Sequence, residues 1–121
     1  MRQSLKQDPS CPFCEIVAGN APADVIVQND RITAFHDRSP QAPTHVLVIP
    51  NAHLASLDEV DEADGDLLGA LLLVARDVAR RLSLTDDGYR VVINTGLQGG
   101  QSVMHLHVHL LGGRRMEWPP G

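Results

Sequence analysis

Aromatic side chains are scarce. Phe, Trp and Tyr make up 3% of the 121 residues, so aliphatic side chains must fill the core. The ring platforms on which single-stranded nucleic acids stack are missing with them. Positive charge is also short: 10 Lys and Arg stand against 15 Asp and Glu, a formal net charge of −5. The acids concentrate in LDEVDEADGD and the arginines are scattered. Without a basic face, the chain is not suited to nucleic-acid polymers or anionic membranes, although one locally positive site for a small anion remains compatible. No apolar run approaches the roughly 20 residues that cross a bilayer. The N-terminus, MRQSLKQDPS, has no apolar signal-peptide core, so a soluble cytoplasmic protein is the expectation. Two cysteines, Cys11 and Cys14, do not make a secreted disulfide framework.

What remains is one domain of ordinary globular composition, 43% hydrophobic. Residues 1–10 read as a polar tail and 11–121 as the domain. CPFCEIVAGN, 11–20, predicts a short helix ended by Gly19 or Asn20. DVIVQ (24–28) and residues 32–36 predict a hairpin around Asn29-Asp30. HVLVI (45–49) predicts a third strand that Pro50 stops. From about Asp64 to Leu82, Leu67, Leu71, Ala75, Val78 and Leu82 recur at helical spacing, with Leu68, Leu72 and Ala79 widening the apolar face. Residues 89–94 predict a fourth strand, TGLQGGQS (95–102) a glycine-rich loop, and the histidine row after it a fifth strand. The expected class is α+β: a five-stranded antiparallel sheet, one long helix on one face, and a short N-terminal helix.

That row, SVMHLHVHLL, alternates His105, His107 and His109 with Leu106, Val108 and Leu110. Strand alternation places the histidines on one face, open to solvent or ligand, and the aliphatics against the helix. Two chemistries suit such a row. A His-x-His pair can hold a catalytic zinc that generates hydroxide. Alternatively one imidazole is a nucleophile and the others position it or its target. Gly99, Gly100, Gln101 and Ser102 lead into the row. Glycines let backbone N–H groups approach an oxyanion, and Ser102 adds a hydroxyl, which favours a phosphorus target.

HLHVHLL matches the His-φ-His-φ-His-φ-φ pattern (φ apolar) of the histidine triad (HIT) family. AFHDRSPQAPTHVLVIP, INTG, GGQSVMHLHVHLLGGR and the terminal WPPG resemble its nucleoside-phosphoramidase, or Hint, branch, from Cys11 to Gly121. The resemblance implies a single histidine triad domain over 11–121, paired as a homodimer whose sheets join. It implies hydrolysis of the P–N bond of purine nucleoside 5′-phosphoramidates, releasing the nucleoside monophosphate. His107 is then the nucleophile, His109 a phosphate contact, His45 an orienting partner, and Ser102 a donor to the leaving amine. Asn94, Gly100 and Gln101 are expected at the phosphate, Asp37 at the ribose hydroxyls, and Phe35 and His36 at the base. Arg38 departs from the family, where an aliphatic residue is usual; its backbone can still line the site. The other activities this resemblance admits are dinucleoside polyphosphate hydrolysis or nucleotidyl transfer, and a non-enzymatic nucleotide-binding scaffold.

No cofactor is implied for catalysis. Some members of the superfamily hold a structural zinc with a Cys-x-x-Cys pair, a histidine after the third strand and the first histidine of the triad region. The matching positions are Cys11, Cys14, His53 and His105, and a closed Cys₂His₂ site is the expectation. The C-terminal tail is expected to reach a partner's active site and influence the choice of leaving amine.

Overall fold

The structure is a computed structural model that describes residues 7–121. Helix α1 (Pro12–Ala18) is set by its ends: the Cys11 sulfur accepts from the Cys14 N–H, Pro12 occupies the first turn, and Gly19 closes it in the left-handed conformation at φ 81°. Strands β1 (Val25–Gln28) and β2 (Ile32–His36) form the expected hairpin. Its turn is held by Asn29, whose Oδ1 accepts from the Arg31 and Ile32 N–H groups, both at 2.9 Å. Strand β3 (Thr44–Pro50) includes Pro50, which pairs with Ile32 as its last residue. Helix α2 (Gly65–Arg81) then crosses to β4 (Tyr89–Ile93) at the sheet edge, and β5 (Val108–Gly112) returns between β4 and β3. The order is β1-β2-β3-β5-β4, antiparallel throughout. The class is α+β, as expected. Short 3-10 turns at Leu57–Glu59 and Glu62–Asp64 were not anticipated.

Two apolar layers sandwich the sheet. On one face Leu71, Ala75, Val78 and Ala79 of α2 pack on Ala34, Val46, Val48, Leu106, Val108 and Leu110. Leu72 does not widen that face; it is 48% exposed on the outer side of the helix beside Leu73. The other face carries Phe35, Leu47 and Ile49, covered by Cys11, Phe13 and Cys14 of the α1 segment. The histidine face is therefore not simply open. His105 and His107 are 0% and 3% exposed. The burial of both faces is written in β2 and β3, whose continuous apolar runs mark a strand covered on two sides.

The fifth strand is shorter than the histidine row. Pairing begins at Val108, opposite Ile93 of β4 and Val48 of β3. His105, Leu106 and His107 precede it, and the Leu106 N–H is bonded to the Leu54 carbonyl outside the sheet at 2.6 Å. Alternation survives nonetheless: Leu106 enters the α2 layer while the flanking histidines turn to the α1 side. Of the expected polar tail, residues 1–6 lie outside the described residues. Gln7 bonds the Asn51 carbonyl at 3.0 Å, and the Asp8 N–H meets the Cys14 sulfur at 3.4 Å. No described helix is long and apolar enough to cross a membrane.

Candidate active site and metal centre

A cavity of about 700 Å³ opens between α1 and the histidine face. Its polar end holds Asp37, His45, Ser102, His107 and His109. Its apolar end is walled by Pro12, Phe13, Ile16, Phe35 and Leu47. Phe13 meets the His107 ring edge to face at 5.2 Å and Phe35 at 5.6 Å. One end thus suits an anion and the other a flat apolar group.

Backbone groups set the proton on His107 and His45, and His45 in turn sets it on His109. His107 Nδ1 lies 2.7 Å from the His105 carbonyl, an acceptor only, so Nδ1 carries the hydrogen and Nε2 keeps its lone pair. The Gln41 N–H donates to His45 Nδ1 at 3.0 Å, so neutral His45 carries its hydrogen on Nε2. That Nε2 lies 2.9 Å from His109 Nδ1 and 3.5 Å from Asp37 Oδ2. Donation to His109 Nδ1 leaves the His109 hydrogen on its own Nε2. Burial pushes His109 down to about 4, with His107 and His45 adding to the shift and Asp37 opposing it. His45 is lowered by burial against the pull of Asp37. The site therefore offers one imidazole with a free lone pair, His107, and one neutral imidazole that donates, His109.

The glycine loop is built to approach closely. A Cβ on Gly99 would stand 2.3 Å from the Thr95 carbonyl oxygen. Gly96 and Gly100 adopt φ of 73° and 82°. Gln101 fastens this loop. Its Oε1 accepts from the Gly96 N–H at 2.9 Å, and its Nε2 donates to the Ala55 and Val103 carbonyls at 2.7 and 3.0 Å.

Cys11, Cys14, His53 and His105 converge behind Phe13, with one ligand atom from each within 4.8 Å of all the others. Sulfur-to-Nδ1 separations are 3.3, 3.4 and 3.6 Å, and the two Nδ1 atoms are 3.2 Å apart. Zinc bond lengths imply tetrahedron edges of about 3.6 Å for sulfur–nitrogen and about 3.3 Å for nitrogen–nitrogen pairs. His105 Nε2 donates to the Pro50 carbonyl at 2.8 Å, which leaves the Nδ1 lone pair aimed inward. Burial lowers His105 to about 4, keeping the imidazole neutral as a ligand must be. Burial also pushes the Cys14 thiol up to about 11, and a divalent cation is the charge that would hold it as thiolate. These residues fit a zinc. Asp37, His45 and His109 also cluster, but the hydrogen on His45 Nε2 occupies the lone-pair position a metal would need. A catalytic zinc on the His105-x-His107 pair does not fit, since His105 faces the cysteines and His107 the cavity; on His107-x-His109, the His109 Nδ1 lone pair is taken by His45 and its Nε2 carries the hydrogen.

Residues 18–116 match the HIT domain family. This chain belongs to the HIT family. A 14 kDa zinc-binding protein of Zea mays is 50% identical over 111 residues, 90% of this chain and 86% of that protein. A HIT family hydrolase of Legionella pneumophila is 47% identical, with a TM-score of 0.91 over 93% of this chain and 100% of its own. A histidine triad nucleotide-binding protein of Candida albicans is 32% identical, with a TM-score of 0.77 over 91% and 83%. The fold is thus that of HIT family hydrolases.

Within this HIT domain the structure gathers Phe35, His36, Asp37, Arg38, His45, Ser102, His107 and His109 around one cavity. Asn94, Gly100 and Gln101 are not among the residues that line it. For Gln101 the reason is physical: its amide group is turned inward to brace the loop. Sequence reasoning missed the α1 wall, Pro12, Phe13 and Ile16, and the Gln41 N–H. The wall had a signal, the apolar residues within and after the Cys-x-x-Cys pair. The Gln41 contact had none, because a backbone donor leaves no mark on the residue type.

Proposed function

We propose that this HIT protein hydrolyses the P–N bond of purine nucleoside 5′-phosphoramidates, such as adenosine 5′-monophosphoramidate, through a nucleotidyl-histidine on His107. The observation that carries this reading is the tautomer set by the His105 carbonyl, which leaves His107 Nε2 unprotonated in the residue that lines the cavity floor. Nε2 attacks phosphorus, the N–P bond forms and the P–N bond to the amine breaks. The Ser102 hydroxyl, on the cavity wall, gives a proton to the departing amine and recovers one from the water that hydrolyses the adduct. Water then hydrolyses the adduct, freeing His107 and the nucleoside monophosphate. His109 Nε2–H donates to the phosphoryl oxygens, where charge grows in the transition state. Asp37 takes the ribose hydroxyls. Phe13, Ile16 and Phe35 hold the purine, beside His36 and Arg38.

The zinc reading belongs to the same proposal. Four protein ligands close the site, so the metal supplies no open position for chemistry. It ties α1, and with it the purine wall, to His53 and His105. A homodimer fits the free edge of the sheet at β4, where Tyr89 and Val91 are exposed.

The test is turnover of a fluorogenic adenosine phosphoramidate beside diadenosine polyphosphates, by the wild type and His107→Ala. Preferred phosphoramidate cleavage is expected, with a loss of several orders of magnitude in the variant. Near-intact activity in His107→Ala rejects the mechanism, and preference for the polyphosphates rejects the substrate class.

A further inference from the structure

The chain of imidazoles does not end at His45. The N–H that fixes His45 Nδ1 belongs to Gln41, in the loop between β2 and β3. That loop is held from outside by Arg114, two residues past β5. Arg114 Nε and Nη2 both donate to the Gln41 carbonyl, at 3.2 and 3.0 Å, and Nη1 donates to the Arg115 carbonyl at 3.1 Å. The approach is close because Gly113, at φ 93°, lies against Pro43; a Cβ there would stand 2.8 Å from the Pro43 Cβ. At its inner end the loop is closed by the Asp37 N–H, bonded to the His45 carbonyl at 2.8 Å.

We propose that Arg114 is a positioning residue of the active site: its two-point grip on the Gln41 carbonyl aims the Gln41 N–H at His45 and so holds His45 and His109 in their donating orientation. The inference rests on the phosphoramidase reading for its kinetic consequence, not for its structural one. Two N–H groups of one guanidinium converge on the Gln41 carbonyl oxygen, charge-assisted bonds that fix where Gln41 sits; its N–H, one peptide unit earlier, follows through the Gln41 backbone. If the loop drifts, His45 Nδ1 loses its donor and the ring is free to turn. His45 Nε2 then no longer donates reliably to His109 Nδ1. A His109 ring without that donor can carry its hydrogen on Nδ1, and Nε2 then meets the phosphoryl oxygens as a lone pair. A donor at the transition state becomes a repulsive acceptor. The larger effect falls on kcat, because Phe13, Ile16 and Phe35, the apolar wall of the cavity, lie outside this loop.

Arg114→Met removes the grip while keeping a similar chain length. Three readouts are taken on the full-length protein: amide hydrogen exchange at Gln41, the ring ¹⁵N spectrum of His45 and His109, and steady-state phosphoramidate hydrolysis. Gln41 exchange is expected to quicken about tenfold while the amides of β3 and β5 keep their rates, the order expected for a lost hydrogen bond to a charged group. The His45 Nδ1 signal loses its hydrogen-bonded shift, and kcat falls about tenfold with KM changed less than about twofold. Added guanidinium ion restores part of kcat, and Arg114→Lys, with one point of contact, lies between. Unchanged Gln41 exchange and His45 signals overturn the proposal, as does an unchanged kcat. Uniform quickening across the sheet also overturns it, since that marks a purely structural role. If Arg114→Met does not fold, Arg114→Lys decides on the same three readouts. A wild type that fails to cleave the phosphoramidate rejects the substrate reading and leaves the exchange and ring spectra to judge the grip.

Discussion

Replacing Gln101 by leucine separates two roles that its position beside the glycine loop invites. The side chain is 7% exposed and makes three hydrogen bonds, to the Gly96 N–H, the Ala55 carbonyl and the Val103 carbonyl. Leucine fills a similar volume and makes none of them. Each bond contributes about 0.5–1.5 kcal/mol net, and a partner left dry costs more. Gly96, Ala55 and Val103 are only partly buried, so water can reach some of the orphaned groups. A loss of roughly 2–4 kcal/mol follows, which for a domain of this size lowers Tm by on the order of 10 °C. Urea unfolding followed by circular dichroism measures it. Two of the three partners, Gly96 and Val103, bracket the loop on either side of Ser102, so kcat should fall as the serine loses its place. A destabilisation under about 0.5 kcal/mol would refute the bracing role. Raised KM with unchanged stability would instead return Gln101 to the phosphate.

Chelation of the metal centre is expected to raise KM more than it lowers kcat, because the cysteines anchor the helix that carries the apolar wall of the cavity, while His107 keeps its bond to the His105 carbonyl. Metal analysis of protein purified without added zinc should find close to one equivalent per chain; less than about 0.2 counts against the site. His109 should titrate near 4 rather than 6.5 by ring ¹⁵N shifts. Its folded pKa lies below its unfolded value, so its contribution to stability is full above about pH 6.5 and is lost as pH falls toward 4; stability unchanged across that window would contradict the burial argument. Gly99→Ala should displace the loop, since the added carbon meets backbone rather than a movable side chain, and a drop in kcat without loss of the α2 core checks it. Removing residues 117–121 should alter selectivity between leaving amines more than stability, because Trp118 is 82% exposed and the tail is held to β4 by Arg90 donating to the Glu117 carbonyl at 2.8 Å.

Much of this protein is legible in its sequence because the relevant rules are local. The helical recurrence from Leu67 to Leu82 placed α2 to within a residue at either end, and the Asn29 turn placed the first hairpin. Alternation in the histidine row assigned Leu106, Val108 and Leu110 to the helix layer, where they are buried. The pattern His-φ-His-φ-His-φ-φ and its flanking segments were enough for the family. Less visible was anything that depends on how two distant segments meet. Periodicity treats the three histidines alike, yet His105 turns to Cys11 at 3.3 Å, His107 to the cavity, and His109 to His45 at 2.9 Å. The covering of that face by α1 also escaped, because a helix of 7 residues does not announce which sheet it will pack on.

By itself, then, the sequence determined the order of elements, the apolar layer under the long helix and the cast of side chains able to handle a phosphate, because those follow from spacing along one chain. Only the tertiary structure decided which nitrogen of each imidazole carries the hydrogen. That depends on carbonyls and N–H groups of His105, Gln41 and Pro50, and every residue but proline offers the same backbone groups. The amino-acid code does not distinguish them; only the fold, by placing one beside a particular ring, gives them a chemical role.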